Sequence, residues 1–304
     1  MTDKTANTDD MSVYDELPDA PPKKKIQLTW VGKLGVAVVL FWVLMVFIGP
    51  YIAPFHEADI VAYDSFMPAF STSEGVGYHL LGTDYIERDI LSRILWGART
   101  TIGISVLATM FAYLVGVTLG IGAAVAGGWV DMIFSRANDA ILSLPSIMLG
   151  LLIVVALGTS IPILILTASV IYAASVYRIA RALGQDIMVM DFVEAARVRG
   201  EGMWYIITRE VLPNAIMPLA TDFGLRLVFV VLFISSLSFL GLGIQPPMAD
   251  WGSMVRQNLD GLGYGSYAAV WPALAIASFT IAINLIVDDI SASEGGSLAR
   301  KMIS

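Results

Sequence analysis

The sequence predicts an all-α polytopic membrane protein with six transmembrane helices and with both termini in the cytoplasm. Of its 304 residues, 57% are hydrophobic and only 14% are charged, whereas soluble globular domains carry about 25% charged residues. Uncharged runs recur along the chain, and each is long enough for a membrane-crossing helix of about 20 residues. Arginines and acidic residues are also divided unevenly between the connecting segments, and this asymmetry predicts which segments face the cytoplasm.

The first 25 residues are polar and acidic, and we predict that residues 1–25 form a disordered cytoplasmic tail. Segments of this composition bury too little apolar surface to fold alone. The acidity also argues against nucleic acid as a partner. The acidic side chains are Asp3, Asp9, Asp10, Asp15, Glu16 and Asp19. Three lysines at positions 23–25 then precede the first uncharged run, an arrangement that predicts an uncleaved anchor with its N-terminus inside.

Long uncharged runs account for the predicted crossings. Residues 26–99 hold the first crossing and a periplasmic segment, residues 100–290 hold five more, and residues 291–304 form a cytoplasmic tail. The run over residues 140–177 is too long for one crossing, and the sequence LGTSIP at 157–162 predicts a turn that divides it into two. The predicted crossings are residues 34–55, 100–130, the two parts of 140–177, 227–248 and 261–287, the last beginning near Trp271.

The connecting segments predict the orientation. Residues 54–96 contain seven acids and two arginines, whereas residues 178–218 contain five arginines. Positively charged segments stay inside, so residues 178–218 are predicted to be cytoplasmic. Parity agrees, because four crossings return the chain to the inside before residue 178. The segments 56–98 and 243–268 are then outside.

Residues 84–99 have the spacing of an amphipathic helix. Asp84 and Glu87 match a capping box, and the pairs Asp84–Arg88 and Asp89–Arg93 stand four residues apart. An apolar stripe accompanies them, made of Ile86, Ile90, Leu91, Ile94 and Leu95. We therefore predict a helix lying at the outer membrane interface, either as a strut on the membrane surface or as a contact for a partner protein.

Several kinds of chemistry are excluded or disfavoured. The chain has no cysteine and only two histidines, which excludes thiol chemistry and disfavours a metal centre. The middles of the predicted crossings lack ionisable residues, which counts against a proton- or sodium-coupled carrier and an intramembrane protease. Asp222 and Arg226 stand at the cytoplasmic start of the fifth crossing, where a local salt bridge is the favoured interpretation. Gly32-Lys33 lacks the upstream glycine of a phosphate loop, so ATP would have to bind another chain.

The second predicted crossing is rich in small residues. Gly116, Gly120, Gly122 and Ala126 occur within it. Small side chains allow neighbouring helices to approach closely in a membrane. We predict that this crossing packs tightly against another helix.

One charged segment, DFVEAARVRGEGMWYIITREVLPNAIMPL at 191–219, interrupts the apolar runs. Its spacing predicts a first short helix over residues 191–199, a turn at Gly200 and Gly202, and a second short helix over residues 203–211 that ends at Leu212-Pro213. Such a compact cytoplasmic structure is suited to docking in a groove of a soluble partner. An ordinary solvated loop is the alternative.

The same segment is similar to the EAA loop of inner-membrane subunits of binding-protein-dependent ABC importers. The residues that match are Glu194, Ala195, Ala196, Gly200, Leu212 and Pro213. Glu210 departs from the pattern, which usually has an apolar residue there. The loop couples the permease to its ATPase in these importers, so the resemblance implies that role for the matching residues and for Arg197.

Three further stretches resemble the C-type subunit of the dipeptide, oligopeptide and nickel permeases. They are HLLGTDYIERDILSRILWGART (79–100), LSFLGLGIQPPMADWGSMV (237–255) and WPALAIASFTIAINLIVDD (271–289). Glu87 stands where that family commonly has glycine, and Val287 replaces another usual glycine. The resemblance covers roughly residues 30 to 290 and excludes the first 25 residues and the tail.

The resemblance implies a type I ABC importer permease of the bacterial inner (plasma) membrane. Its expected partners are a homologous second permease, two ABC ATPases, a periplasmic substrate-binding protein and the lipid bilayer, with no nucleic acid. ATP and Mg²⁺ are expected on the ATPases, and no cofactor, metal or catalytic residue is expected in this chain. Transport would proceed by alternating access. Peptides are the favoured substrates, although related systems carry nickel chelates, opines and oligosaccharides. An autonomous channel or secondary carrier is the alternative function.

Overall fold

The computed structural model describes residues 28–73 and 77–303, with side chains described as far as residue 292. The predicted acidic tail, residues 1–25, and the three lysines after it lie outside the described residues. The part that is described is almost entirely helical, with one short β-hairpin, β1 (Ser71–Ser73) and β2 (Gly77–His79), in which Ser71 pairs with His79.

The helices follow one another closely along the chain. They are α1 (Trp30–Ile52), α2 (Ile90–Ala126), α3 (Gly128–Leu142), α4 (Ser146–Leu157), α5 (Ile161–Met188), α6 (Asp191–Val198), α7 (Met203–Tyr205), α8 (Leu212–Phe239), α9 (Trp251–Gln257) and α10 (Val270–Ile303). A π-helical turn (Ile206–Val211) joins α7 to α8, and a 3₁₀ turn (Leu259–Tyr264) follows α9. Helix α10 therefore continues through most of the segment predicted as a tail.

The membrane-crossing helices agree with a six-span protein. Among the described residues, five helices are long and apolar enough to cross a bilayer: α1, α2, α5, the continuous helix Met203–Phe239 and the segment Val270–Ala292 of α10. Helices α3 and α4 meet at an angle of 88° and together make a sixth if they form one crossing. The all-α polytopic fold class is confirmed.

The third crossing is bent rather than straight. Helix α3 begins directly after Gly127, and α4 begins after Pro145, whose ring cannot continue the hydrogen-bond ladder of α3. The predicted turn at residues 157–162 is present, because Gly158 has a positive φ of 102° and α5 starts at Ile161. The predicted division of residues 140–177 into two crossings is therefore confirmed, and the first of the two is built from two helices that meet at a bend.

The segment 84–99 is not an amphipathic surface helix. Residues 84–89 form a loop, and α2 begins at Ile90 with Asp89 as its N-cap, which accepts a hydrogen bond from the Ser92 amide at 2.8 Å. Asp84 does pair with Arg88, at 2.8 Å, but both side chains are buried. The i,i+4 spacing of Asp84 and Arg88, which suggested a helix, instead brings the two side chains together inside a folded loop. The second crossing begins at Ile90, ten residues earlier than predicted.

Helix α8 runs through the site where a helix end was predicted. The proline at position 213 has no amide to donate and crowds the carbonyl four residues earlier. The wider π-helical turn of residues 206–211 accommodates the missing amide and the ring of Pro213. The helix therefore continues from Met203 to Phe239. Leu212-Pro213 therefore does not end the second short helix, and the fifth crossing lies earlier than the predicted range 227–248.

This shift places two ionisable residues inside a crossing. Asp222 and Arg226 form the predicted i,i+4 salt bridge at 3.2 Å, and the Tyr113 hydroxyl of α2 donates to Asp222 at 2.5 Å. The prediction that the middles of the crossings lack ionisable residues stays a prediction, because this helix has 37 residues and is longer than one crossing needs. The charges are satisfied by each other and by a neighbouring helix, as buried charges in a membrane protein require.

Helices α2 and α5 form the central packed pair. A Cβ on Gly116 would lie 2.8 Å from the Ala173 carbonyl oxygen, and one on Gly120 would lie 2.7 Å from the Tyr177 carbonyl oxygen. These two glycines give the close approach predicted from their small side chains. Gly122, by contrast, faces open space and takes no part in the contact.

The bundle has two distinct ends. One end carries residues 189–211, between α5 and α8; we call it the coupling end. The far end carries residues 53–73, 77–89 and 240–269, which form a cap over the outer turns of α2, α8 and α10. The cap is tied to α2 by buried polar contacts, such as that of Thr101, whose hydroxyl donates to Asp250 at 3.1 Å.

Candidate functional site: the EAA segment

The EAA segment, residues 191–213, begins with the short helix α6. Asp191 and Glu194 stand in its first turn and Arg197 in its last, which places charges of the favourable sign at each end of the helix dipole. Val193 and Ala196 are completely buried, whereas Glu194 and Ala195 are exposed. The helix therefore presents one face to the bundle and the opposite face to the surroundings.

A glycine turn ends α6. Gly200 has a φ of +83°, and its amide donates to the Arg197 carbonyl at 2.9 Å, while the Glu201 amide donates to the Ala196 carbonyl at 3.1 Å. These two bonds define a Schellman motif, in which the residue after the cap adopts the left-handed conformation that glycine favours. Gly202 has an ordinary φ of −76°. The first glycine of the turn is therefore the one that the backbone geometry requires.

The return of the chain from the turn is anchored in the bundle. Ile206 and Val211 are buried, and together with Val193 of α6 they belong to a core cluster with residues of α2 and α5 at the coupling end. The members of this cluster that lie on α2 and α5 are Ile121, Ala180 and Ile187. Because all of these side chains pack together, α6 is held firmly against the helices that cross the membrane.

The outer surface of the segment is partly apolar. Val189 and Val198 are each 83% exposed, Trp204 is 77% exposed, and Met203 is 53% exposed. Large apolar side chains that cluster on an exposed surface mark protein contacts. None of these residues is among the predicted site residues, although a tryptophan and two valines in or beside a charged loop are a signal that the sequence offers.

Ion pairs tie the turn to the returning helix. The Arg199 guanidinium lies 3.9 Å from Glu201 and 3.8 Å from Glu210. Glu210 is the residue that departs from the EAA pattern, and its pairing across the turn gives it a local partner. Arg197 donates to the Met188 sulfur at 3.8 Å. Within the described residues the Glu194 carboxylate has no ion pair or side-chain hydrogen bond, so the structure provides no partner for it inside the segment.

The structure separates the predicted site residues into three groups. Glu194, Ala195 and Arg197 lie on the exposed part of α6, and Gly200 forms the turn that follows. Ala196 is buried, so it serves packing rather than the outer surface. Leu212 and Pro213 stand at the start of α8, where Leu212 packs against the inner cluster and Pro213 is exposed.

Comparisons with known proteins identify the family. Residues 116–292 match the family described as binding-protein-dependent transport system inner membrane component. The chain belongs to this family. It is a multi-pass permease subunit of an ABC importer in the inner membrane, as the sequence predicted, and ATP hydrolysis in such importers is carried out by separate ATPase subunits. A binding protein, ATPase subunits and a second permease complete a transporter of this kind.

Several relatives of known description are similar to this permease over most of its length. It is 30% identical to the glutathione transport system permease protein GsiD of Pectobacterium atrosepticum, over 84% of each chain. It is 32% identical to a putative peptide transport system permease protein of Brucella suis, again over 84% of each chain. It is 31% identical to the di/tripeptide transport system permease protein DppC of Pseudomonas aeruginosa, over 84% of this chain and 85% of the relative.

Solved structures support the fold. A structure of the methionine ABC transporter MetNI in inward-facing conformations contains a chain that matches 66% of this permease and 96% of its own length, with a TM-score of 0.55 and 16% identity. A chain of an amino acid ABC transporter matches 64% of this permease and 91% of its own length, with a TM-score of 0.50 and 18% identity. At these identities the likeness concerns the fold alone.

Proposed function

We propose that this permease imports peptides, which it receives at its far end from a substrate-binding protein and releases at its coupling end. The support for peptides is the description of its relatives, which are 30–32% identical over 84% of the chain and carry glutathione or peptide transport in their names. In this proposal the far end faces outside and the coupling end faces the cytoplasm. That orientation agrees with the larger number of arginines in residues 178–218, which hold five against two in residues 54–96.

The observation that carries the proposed mechanism is that the EAA segment has one exposed surface and one surface anchored in the helix bundle. Its outer surface is exposed and partly apolar, so it suits a groove on a soluble protein. Its inner surface is anchored through Val193 and Ile206 to α2 and α5, and its second half continues without a break into α8. A displacement of α6 by a docked ATPase would therefore move three membrane helices together as a rigid body.

The proposed assembly contains this permease, a homologous second permease as a heterodimer, two ABC ATPases and the periplasmic substrate-binding protein. ATP and Mg²⁺ bind the ATPases, and this chain needs no cofactor of its own. Each ATPase receives the EAA segment of one permease. Within that contact Glu194, Ala195 and Arg197 face the ATPase, while Ala196 and Leu212 hold the segment to the bundle.

The experiment that tests the function reconstitutes the permease in proteoliposomes with its partner subunits. Uptake of labelled tripeptide is expected only when the second permease, the ATPases, ATP and the loaded binding protein are all present. The decisive measurement is peptide uptake by proteoliposomes from which the ATPases have been omitted. Uptake by the permease without ATPases would show an autonomous channel or secondary carrier and would overturn the importer proposal.

The coupling role is tested at Gly200. A β-branched residue resists the φ of +83° at this position and costs about 1–2 kcal/mol in local strain, while open space surrounds the missing side chain. Gly200→Val is therefore expected to disturb the turn without a steric clash and to lower ATPase association and peptide uptake at least tenfold. Gly202→Val is the matched control, because its φ of −76° suits any residue.

Both glycine variants are expected to insert in the membrane at wild-type abundance.

Glu194→Lys should also lower uptake, because it reverses an exposed charge on the proposed ATPase surface. Asp191→Lys, at the edge of the segment, should have a milder effect. Complex abundance, ATPase activity and uptake are compared for the four variants. Wild-type uptake by Gly200→Val in a complex of normal abundance would mean that the segment is only a connector.

A further inference from the structure

A polar cavity of about 360 Å³ opens at the far end of the bundle. Its walls come from the end of α8, the turn that follows it and α9, together with Tyr85 of the loop before α2, which is distant from them in sequence. The polar side chains that line it include Tyr85, Ser238, Gln245, Arg256 and Gln257. Its volume falls within the range of about 300–1,000 Å³ that is usual for small-molecule sites.

Arg256 is the charged group of this cavity and has no protein partner there. Its side chain is exposed, and within the described residues it makes no ion pair or hydrogen bond. The nearby arginines Arg88 and Arg93 differ, because both lie against Asp84, at 2.8 Å and 3.6 Å. The cavity therefore contains a cation that has no protein counter-ion, so an anionic ligand can pair with it.

The guanidinium of Arg256 lies directly against the backbone. A Cβ on Gly241 would fall 2.1 Å from its Nη1 atom and 2.8 Å from its Cζ atom, so the glycine leaves the space that the guanidinium occupies. Gly241 also has a positive φ of 87°, which is the conformation that turns the chain beneath the arginine. The guanidinium thus packs against the Gly241 backbone on one side and is exposed on the other, where a ligand can reach it.

The walls around Arg256 are fixed by hydrogen bonds. The Gln245 amide nitrogen donates to the carbonyls of Gly241 and Gly243, at 3.2 Å and 2.9 Å. The Gln257 side-chain oxygen accepts from Arg88 at 3.4 Å, which leaves the Gln257 amide nitrogen as a donor beside the cavity. A cation and a neutral donor are therefore held on a prepared surface.

We propose that this cavity binds the free carboxylate of the transported peptide as it enters the permease. A guanidinium matches a carboxylate with two parallel N–H donors. The far end also carries the exposed acids Asp59, Asp64 and Asp260, none of which lines the cavity, and Arg256 is the one charged residue among the residues that line it. Its concave, small-ligand shape favours a peptide terminus over a protein surface. The inference rests on the proposed import of peptides and deepens it.

The test measures binding of defined peptides to the assembled transporter in lipid nanodiscs without the binding protein. The probes are trialanine, N-acetyltrialanine and trialanine amide, and saturation-transfer NMR gives their dissociation constants. The wild-type complex is expected to bind the two acids at least tenfold more tightly than the amide, since a charge-assisted hydrogen bond of this kind is worth roughly ten- to hundredfold. Arg256→Gln should abolish this preference, and Arg256→Lys should retain part of it.

Arg99→Gln is the matched control, because Arg99 is another exposed arginine of the outer turns of α2 and does not line the cavity. It should leave the preference for acids unchanged. A preference that survives in Arg256→Gln, or that is missing from the wild-type complex, would overturn the proposal. Loss of complex assembly in Arg256→Gln would assign the arginine to a subunit interface and would also overturn the proposal.

The two proposals can fail separately. Uptake of trialanine by the wild-type transporter with ATP and the loaded binding protein tests peptide import, whereas the acid-against-amide comparison tests the cavity. Uptake without any dependence of acid preference on Arg256 would reject the cavity and retain peptide import. A cavity that prefers acids through Arg256 in a transporter that takes up no peptide would reject peptide import and show a site for another carboxylate.

Discussion

Glu87 shows what a single residue contributes at the far end. It stands in the loop before α2 with a φ of +63°, at a position where the resembling permeases commonly have glycine. Its amide donates to the Asp84 carbonyl at 3.2 Å, and its carbonyl accepts from the Val61 amide at 2.9 Å. The surrounding contacts therefore hold a residue with a side chain in a conformation that glycine adopts more easily.

Glu87→Gly is expected to stabilise the permease. Removing the left-handed strain gains about 1–3 kcal/mol, and the greater freedom of glycine in the unfolded chain returns about 0.5–1 kcal/mol of that, so the net gain is about 1 kcal/mol. Thermal unfolding in detergent measures the change. Glu87→Gln is the control, because it removes the charge and keeps the strain. An equal gain in both variants would attribute the effect to the charge instead.

Asp250 is a second residue whose environment decides its behaviour. It caps α9 by accepting from the Ser253 amide at 2.8 Å, and it is completely buried. Burial disfavours the charged carboxylate and raises the pKa of Asp250 above its ordinary value of 3.8. The folded protein therefore binds the Asp250 proton more tightly than the unfolded chain does.

The raised pKa predicts the sign of a pH effect. The contribution of Asp250 to stability is fully present below pH 3.8 and is lost as the pH rises through the folded-state pKa. Asp250→Asn keeps an oxygen for the cap and removes the titration. The wild-type unfolding temperature should therefore fall relative to that of Asp250→Asn as the pH is raised from about 4 to 7. A difference between the two proteins that stays constant over this range would show that Asp250 has no such shift.

At the scale of elements, the contact between α2 and α5 depends on individual helix faces. Gly116 and Gly120 stand four residues apart, so they share one face of α2 and meet backbone atoms of α5 within 3 Å of an added Cβ. Gly122 lies on another face. The spacing of small residues suggested close packing for all three glycines, but their direction around the helix decides which ones take part.

Gly116→Leu and Gly122→Leu form a matched pair that tests this contact. The first inserts a large side chain between two packed helices and should destabilise the permease by about 1–3 kcal/mol or more, with reduced assembly of the complex. The second enters open space and should change the free energy of unfolding by less than about 0.5 kcal/mol. Unfolding temperature and complex abundance are the measurements. Equal destabilisation by the two substitutions would contradict the packing described for α2 and α5.

At the scale of the whole molecule, the two ends of the bundle differ in charge and in construction. The coupling end has arginines around a short anchored helix, and the far end has a cap of loops with buried ion pairs such as Asp84–Arg88. The proposed import direction depends on which end faces outside. The positive-inside rule predicts that the coupling end lies in the cytoplasm.

Single cysteines test this orientation without background, because the natural chain has none. Ser65 lies exposed at the far end and Val198 lies exposed at the coupling end. In intact spheroplasts a membrane-impermeant thiol reagent should label Ser65→Cys and should leave Val198→Cys unlabelled until the cells are lysed. The reverse pattern would invert the topology, and with it the assignment of the far-end cavity to the entry side.

Local sequence rules predicted much of the coupling end. Asp191 begins α6 and Gly200 ends it, as the charges and the glycine indicated, because a helix dipole and a left-handed turn act over a few residues. The same kind of rule failed at Pro213. A proline normally ends a helix, but the buried contacts of Ile206 and Val211 hold the chain in a wide turn, and these contacts come from helices far away in sequence.

The sequence by itself determined the membrane class, the family, the crossings in outline and the position of the EAA segment, since apolar length, charge asymmetry and local motifs are properties of neighbouring residues. Only the tertiary structure decided that Asp84 and Arg88 pair inside a loop, that Ala196 is buried while Ala195 is exposed, and that Arg256 stands unpaired above Gly241. The physical reason is that burial and pairing depend on which distant segments meet. Spacing along one chain describes a helix and a folded loop equally well until those segments are in contact.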